Sequence, residues 1–415
     1  MKKSSVKPDA IVFIPGNFKP WEGSIVGGLG ERLAVALERN NPPKLRFHTN
    51  KTTAFPNPAG VTEVVKVSVS PGANRKSKPL IDLYCLDLVD VVTEPYRVAS
   101  ALKKACYLGF HIVTLTPKTV SSFFRRNLSL RGKLQIIFCG AVILLMQLSF
   151  FTIIATLIAG FTSLTPATTD TLDKLVNWAL PFAGAFLAAL AMLPQRIRSA
   201  LDSFTAFVLS FIGYLSAGSG RDAAIGKLAS FLESLAENCD YQRVHIASFG
   251  IGTIIALDSL FPREQPILRF KMVDTLITIA CPADIILHYY PQYFKDRQRL
   301  RGIPKRWVNA FVPSDLLASN FIEGDSYNET PKEQTYKGIL GKLGKLRNQS
   351  WSGISVCGQN KVTHPNFNIR HALTSAKGAV NRVFASVRAH QSYWSRTNVT
   401  SASIFDAIVQ KLFPA

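Results

Sequence analysis

The chain has 415 residues and carries 48 basic against 27 acidic side chains, a formal net charge of +21. Hydrophobic residues make up 47% of it and charged ones only 18%, which excludes a disordered chain and allows a large core, in one large domain or two ordinary ones. So positive a chain points to nucleic acid or an anionic membrane surface, and the concentration of apolar residues in its middle favours the membrane.

The N-terminal MKKSSVKPDA has basic residues with no apolar segment directly after them, so it does not read as a signal peptide. Residues 10–14, AIVFI, are a short apolar run ending at Pro15-Gly16 and predict a buried strand. A helix is predicted over 24–39, strands over 45–48, 61–69 and 81–86, and a helix over 92–107. Residues 134–161 then contain no charged side chain, a run longer than the roughly 20 residues that cross a bilayer core. A second charge-free run, 175–195, is rich in small residues that allow close helix packing. The loop between them, 162–174, is Thr-rich and carries Asp170 and Asp173, so the pair predicts a transmembrane helical hairpin.

Arg125, Arg126, Arg131 and Lys133 precede the first span, and Arg196 and Arg198 follow the second. Basic flanks stay on the cytoplasmic side, which places both termini and the soluble domain there. The apolar stretch 204–215 is too short to span and reads as an interfacial or core helix. Beyond it come a predicted helix over 222–237, a strand over 243–247, a helix over 252–260, and strands over 276–280 and 307–311. Strands alternating with helices indicate an α/β fold with a mostly parallel sheet and helices on both faces. Its strands come from both flanks of the hairpin, so the expected division is 1–133 and 196–415 as two parts of one domain, with 134–195 inserted. Within the second part, residues 331–388 hold ten basic residues and one acidic residue, Glu333. There 337–347 reads either as a basic helix on anionic lipid or as a solvated loop. Six scattered cysteines without a CxxC pair fit a reducing compartment and argue against zinc and disulfides.

The segment 241–262, YQRVHIASFGIGTIIALDSLFP, predicts a strand, a tight turn of small residues and a helix. It resembles the nucleophile elbow of the α/β-hydrolase superfamily, G-x-S-x-G at a strand-to-helix turn. Small residues are needed two positions either side of the nucleophile. Centring on Gly250 puts Ser248 and Gly252 there, whereas centring on Ser248 puts the bulky Ile246 before it. The match S-F-G-I-G is therefore an elbow with glycine at the nucleophile position.

Phe13-Ile14-Pro15-Gly16-Asn17-Phe18 is similar to the loop that completes the oxyanion hole, which implies Asn17 as a donor, Phe18 beside it and Ile251 as the second donor. Pro313-Ser314-Asp315, after the predicted strand 307–311, looks like the strand end carrying the triad acid, and His390-Gln391-Ser392-Tyr393-Trp394 resembles the late histidine loop. The order elbow, Asp315, His390 is the superfamily's order. With Thr278-Ile279-Ala280-Cys281-Pro282-Ala283-Asp284 and Tyr290-Pro291-Gln292-Tyr293-Phe294, the resemblance extends to bacterial membrane-embedded members with a hairpin inserted before the elbow, and it implies an inner-membrane location. His245, inside a strand, reads as a packed histidine, Asp284 as a helix cap, and His364 and His371 as loop residues.

A triad without its nucleophile forms no acyl-enzyme by the usual route. The resemblance thus implies a degenerate serine esterase or lipase that keeps a site for an acyl or ester ligand and lies against membrane lipid. The alternative is an active enzyme with Ser248 as nucleophile beside Asp315 and His390. No nucleic-acid-binding signature accompanies the charge, and neither reading calls for a cofactor or a metal. Nothing in these features sets an oligomeric state.

Overall fold

The computed structural model describes residues 7–16, 24–41, 45–50, 53–57, 60–70, 77–88, 91–94, 98–124, 132–144, 146–147, 150, 208, 211–215, 219–262, 272–290, 293–294, 304, 306–311, 315–319, 366–368, 390, 393, 408–409 and 412. The run DAIVFI forms strand β1 (Asp9–Ile14), buried at every residue. Burial on both faces is what removes the polar alternation from such a strand. Ser24 caps helix α1 (Ile25–Asn40), its hydroxyl accepting from the Gly27 amide at 3.2 Å. Strands β2 (Arg46–Thr49), β3 (Thr53–Asn57), β4 (Gly60–Ser70) and β5 (Lys78–Cys85) follow.

The helix predicted over 92–107 is displaced. Residues 91–94 are helical, the chain then turns at 98–99, and helix α2 (Ala101–Phe123) starts afresh with Ser100 as its N-cap. A capping serine offers its side chain to the exposed amides of a new helix, which favours a fresh start at that point. After α2 come helix α3 (Ser219–Asn238), strand β6 (Val244–Phe249), helix α4 (Ile251–Leu260), strand β7 (Val273–Ile279), helix α5 (Ala283–Tyr289), and strands β8 (Arg306–Phe311) and β9 (Asn366–Asn368). Strands β3 and β9 were not expected; β9 lies within the basic segment 331–388.

The strands form one mixed sheet in the order β2-β4-β5-β1-β6-β7-β8-β9, with β3 paired to β4. From β5 to β9 all pairings are parallel, while β2, β3 and β4 make an antiparallel margin. The α/β fold with a mostly parallel sheet is therefore observed. Helices cover both faces. Val26, Leu29, Leu33 and Leu37 of α1 join a core with Ile11, Phe13, Ala247, Phe249, Ile277 and Ile279. Strand alternation sends the intervening residues to the other face, where Phe231 of α3 meets the Tyr84 ring edge-on and Phe261 at the end of α4 stacks on Trp307.

The chain divides into two compact units. One comprises Met1–Val89, Ser129–Gln135 and Arg221–Ala415 and contains the sheet; the other comprises Asp90–Leu128 and Ile136–Gly220. The sheet-bearing unit is thus interrupted twice, over a wider stretch than 134–195 alone. Gln135, expected inside the first span, is buried in the sheet-bearing unit and donates through Nε2 to the Leu316 carbonyl at 3.0 Å. Among the described residues no helix is long and apolar enough to cross a membrane. The second span, the connecting loop and residues 151–161 of the first lie outside the described residues, as do 337–347, His364 and His371.

Two ionic clusters hold the sheet-bearing unit. Arg221 Nε lies 3.1 Å from Asp258 Oδ2 on α4, Tyr293 Oη donates to the same oxygen at 2.6 Å, and the Arg221 guanidinium sits over the Tyr293 ring. The Asp258 carboxylate is fully buried against these partners. At the opening ends of the strands, Arg243 Nη2 reaches Asp9 at 2.7 Å and Arg306 Nη2 reaches Asp274 at 2.9 Å, with buried His245 between the two carboxylates. His245 is accordingly a packed histidine, as expected.

Burial alone would raise the Asp9 and Asp274 carboxyls, yet both are held below their ordinary value. The neighbouring His245, 3.7 Å away, and the hydrogen-bonded Arg243 outweigh burial at Asp9, and hydrogen bonds from Arg306 and Thr275 do so at Asp274. Because the folded values are depressed, the stabilisation is complete above the ordinary carboxylate value and is lost as pH falls through the folded ones. Denaturant midpoints should therefore fall between about pH 5 and pH 2, and more shallowly in an Asp9→Asn, Asp274→Asn double variant. Asp258→Ala should cost about 3–5 kcal/mol in the same assay, because it strands the Arg221 charge.

Candidate active site at the strand-to-helix turn

Strand β1 has β5 on one side and β6 on the other, so chain order reverses across it. In open α/β sheets ligands bind outside the carboxyl ends of the strands at such a reversal. Ile14, the last residue of β1, is in register with Ser248, which brings Pro15-Gly16 beside the turn from β6 into α4.

That turn is Gly250, at φ 54° and ψ −123°. A residue with a Cβ meets steric strain in this left-handed region, of order 1–3 kcal/mol. The turn is pinned by the Gly250 amide donating to Ile279 O at 3.0 Å and by Thr253 Oγ1 donating to Gly250 O at 2.6 Å. One strand further on, Ala280 also has positive φ, 52°, and its amide donates to Ala310 O at 3.0 Å. Two neighbouring parallel strands thus end in positive-φ turns at the same end of the sheet.

The small residues flanking Gly250 meet the crowding that an elbow imposes. A Cβ on Gly252 would lie 2.6 Å from Ile14 O and 2.9 Å from Pro15 O, both backbone atoms that cannot swing aside. On Gly16 it would lie 2.9 Å from Phe249 O. At Gly250 itself the space is open: the nearest atom to a Cβ would be Gly16 Cα at 3.9 Å. Local packing therefore demands glycine at 16 and 252, while at 250 only the backbone angle favours it.

Asp315 and His390 come together. His390 Nδ1 lies 2.8 Å from Asp315 Oδ2, and the carboxylate is fully buried. Asp315 Oδ1 accepts from the Leu317 amide at 2.9 Å, closing a turn that is fastened to β7 by Ser319 N donating to Cys281 O at 2.6 Å. It is fastened to β8 by Asn309 Nδ2 donating to Ser319 O at 2.9 Å. With Nδ1–H directed at the carboxylate, a neutral His390 keeps Nε2 as its basic nitrogen. The His390 ring packs against Phe249, the residue preceding Gly250, at a centroid distance of 5.0 Å.

Tyr393 was missed as a site residue. Its Oη donates to Asp315 Oδ2 at 3.1 Å and its ring packs edge-on against Phe249 at 5.7 Å. The available signal was its place three residues after His390, which lets one turn of chain present both side chains to one acceptor. The thiol of Cys281, fully enclosed at the end of β7, is pushed up to about 12 by burial, which makes it a poor nucleophile.

Ser248 is not brought to His390. Its side chain alternates with that of Phe249 and so points to the opposite face of the sheet, where Oγ donates to Ile277 O at 3.2 Å in a fully buried position. Ile251 opens α4, where a helix has amides without intrahelical acceptors. Asn17 and Phe18 lie outside the described residues. Asp284 is not the helix cap expected: Pro282 holds the N-cap position of α5, and Asp284 sits in its first turn, where a carboxylate favours the helix dipole. Among the described residues no cluster of histidine, cysteine and carboxylate side chains could hold a metal ion.

Gly252→Ala should destabilise the protein by about 1–3 kcal/mol, because the added methyl meets backbone oxygens of β1 and its loop; thermal denaturation measures it. Compared with protein-family models, with curated proteins and with solved structures, the chain matches none.

Proposed function

We propose that the chain is a membrane-anchored protein of the α/β-hydrolase fold, a degenerate serine esterase or lipase whose nucleophile position is occupied by Gly250. The observation that carries this reading is the positive φ of Gly250 at the junction of β6 and α4, beside an acid–histidine pair from later loops. Such a backbone is what an elbow imposes on its nucleophile. The His390–Asp315 hydrogen bond supports a residual triad in which the carboxylate orients the ring and would stabilise an imidazolium.

Without an Oγ at position 250 no acyl-enzyme forms there. Loss of the nucleophile in serine hydrolases costs about 10⁶-fold in turnover, so any remaining hydrolysis, by water activated at His390, is slow. Glycine also removes strain of order 1–3 kcal/mol, so lost chemistry accompanies a gain in stability. The retained role is binding of an acyl or ester ligand at the mouth of the sheet. The location proposed is a bacterial inner membrane, with a hairpin over 134–195 as anchor and both termini cytoplasmic; the charge-free runs and their basic flanks support it.

A fluorophosphonate probe tests the site. Wild-type protein should remain unlabelled, and Gly250→Ser should be labelled at position 250, the serine oxygen displacing fluoride from phosphorus. The same variant should lose about 1–3 kcal/mol of stability. Labelling of wild type at Ser248 would replace this reading with that of an active enzyme. Absence of labelling in a folded Gly250→Ser variant would remove the residual triad.

A further inference from the structure

Helix α2 is amphipathic in an unusual sense. One arc, containing Leu108, His111, Leu115 and Ser122, is buried. The opposite arc carries Leu102, Phe110, Val113, Val120 and Phe124, each 52–74% exposed. At 100° per residue these five side chains fall on one stripe about 80° wide. In the sheet-bearing unit, among the described residues, Val35 is the one large apolar side chain left exposed, so the exposure is particular to this second unit. A contiguous apolar surface of this kind marks an interaction site.

Charge identifies the occupant. Residues 101–123 contain no Asp or Glu but include Lys103, Lys104 and Lys118, and Arg125 and Arg126 follow directly in the sequence. By the same wheel, Lys103, Thr114, Lys118 and Ser121 lie along one edge of the apolar stripe, where a helix resting on lipid meets headgroups. Three of the helix's hydroxyls bond within it. Thr114 Oγ1 donates to Phe110 O at 2.9 Å, Thr119 Oγ1 to Leu115 O at 2.9 Å, and Ser121 Oγ to Lys118 O at 3.3 Å. Bonds of this kind lower the cost of bringing a polar side chain near hydrocarbon.

Crossing is excluded by connectivity. Leu88 before α2 and Gln135 after it both belong to the sheet-bearing unit, so one passage of α2 through a bilayer would divide that unit across it. We propose that α2 lies in the plane of an anionic membrane surface, with its apolar stripe among the upper acyl chains and Lys103 and Lys118 at the phosphates. The inference rests on the proposed membrane location but not on the hairpin.

The full-length protein carrying p-benzoyl-phenylalanine in place of Phe110 should be irradiated in nanodiscs of phosphatidylglycerol and phosphatidylethanolamine and examined by mass spectrometry. A lipid adduct is expected, at about ten times or more the yield of the same photoprobe at Leu108 on the buried arc, and Lys103→Gln with Lys118→Gln should lower it about fivefold or more on anionic discs only. A crosslink to another protein chain, or yields equal at positions 110 and 108, would overturn the proposal. Alkaline extraction of wild-type membranes reports on the anchor separately: release of the protein would sink the hairpin, and the photoprobe would still decide α2.

Discussion

Strand β1 is hydrogen-bonded on both sides by strands that the chain reaches at very different times. Tyr84 on β5 and Tyr241 just before β6 are 157 residues apart, yet their hydroxyls meet, and Tyr241 also donates to Asp82 at 2.9 Å. Everything at the candidate site follows from this closure. It brings the end of β1 into register with Ser248, places Gly16 against the β6–α4 turn, and creates the reversal of chain order beside that turn. It also requires both interruptions of the sheet-bearing unit to leave and return to the same unit, which is why α2 cannot make a lone crossing.

Unusual backbone conformation is concentrated at the same end of the strands. Gly250 and Ala280 both adopt positive φ, and each is tied by its amide to the neighbouring strand. A fold that had lost all use for this turn could relax it, but the close packing of Gly252 on β1 holds the chain in its path. In that setting glycine is the residue with the least conformational cost, while Asp315 retains its hydrogen bonds to His390, Tyr393 and the Leu317 amide.

How much was legible depended on where each residue's constraint lies. Strands β1, β6, β7 and β8 were readable because burial on both faces makes their apolar runs continuous. Strand β3 was not, since Pro56 and an exposed, alternating pattern argue against a strand away from an edge. Strand β9 was invisible for another reason: three residues, Asn-Phe-Asn, carry no pattern of their own and are ordered by pairing with β8. The start of α2 turned on one capping serine. Within the site, small residues at 248, 250 and 252 marked the strand-to-helix turn, and Asp315 and His390 were picked out by the resemblance of their segments to hydrolase loops and by its chain order. Tyr393 and Gln135 were hidden because their roles consist of single contacts with partners far away in sequence.

By itself, then, the sequence determined the α/β class, the apolar strands and the small-residue turn, because each is set by local patterning and sterics. Tertiary structure alone decided that Ser248 faces away from His390, that Asp315 is shared by His390 and Tyr393, and that the outer arc of α2 stays uncovered by the protein. Those outcomes depend on which strands and loops become neighbours, and no local pattern encodes a neighbour that arrives from so far along the chain, 75 residues even for Asp315 and His390.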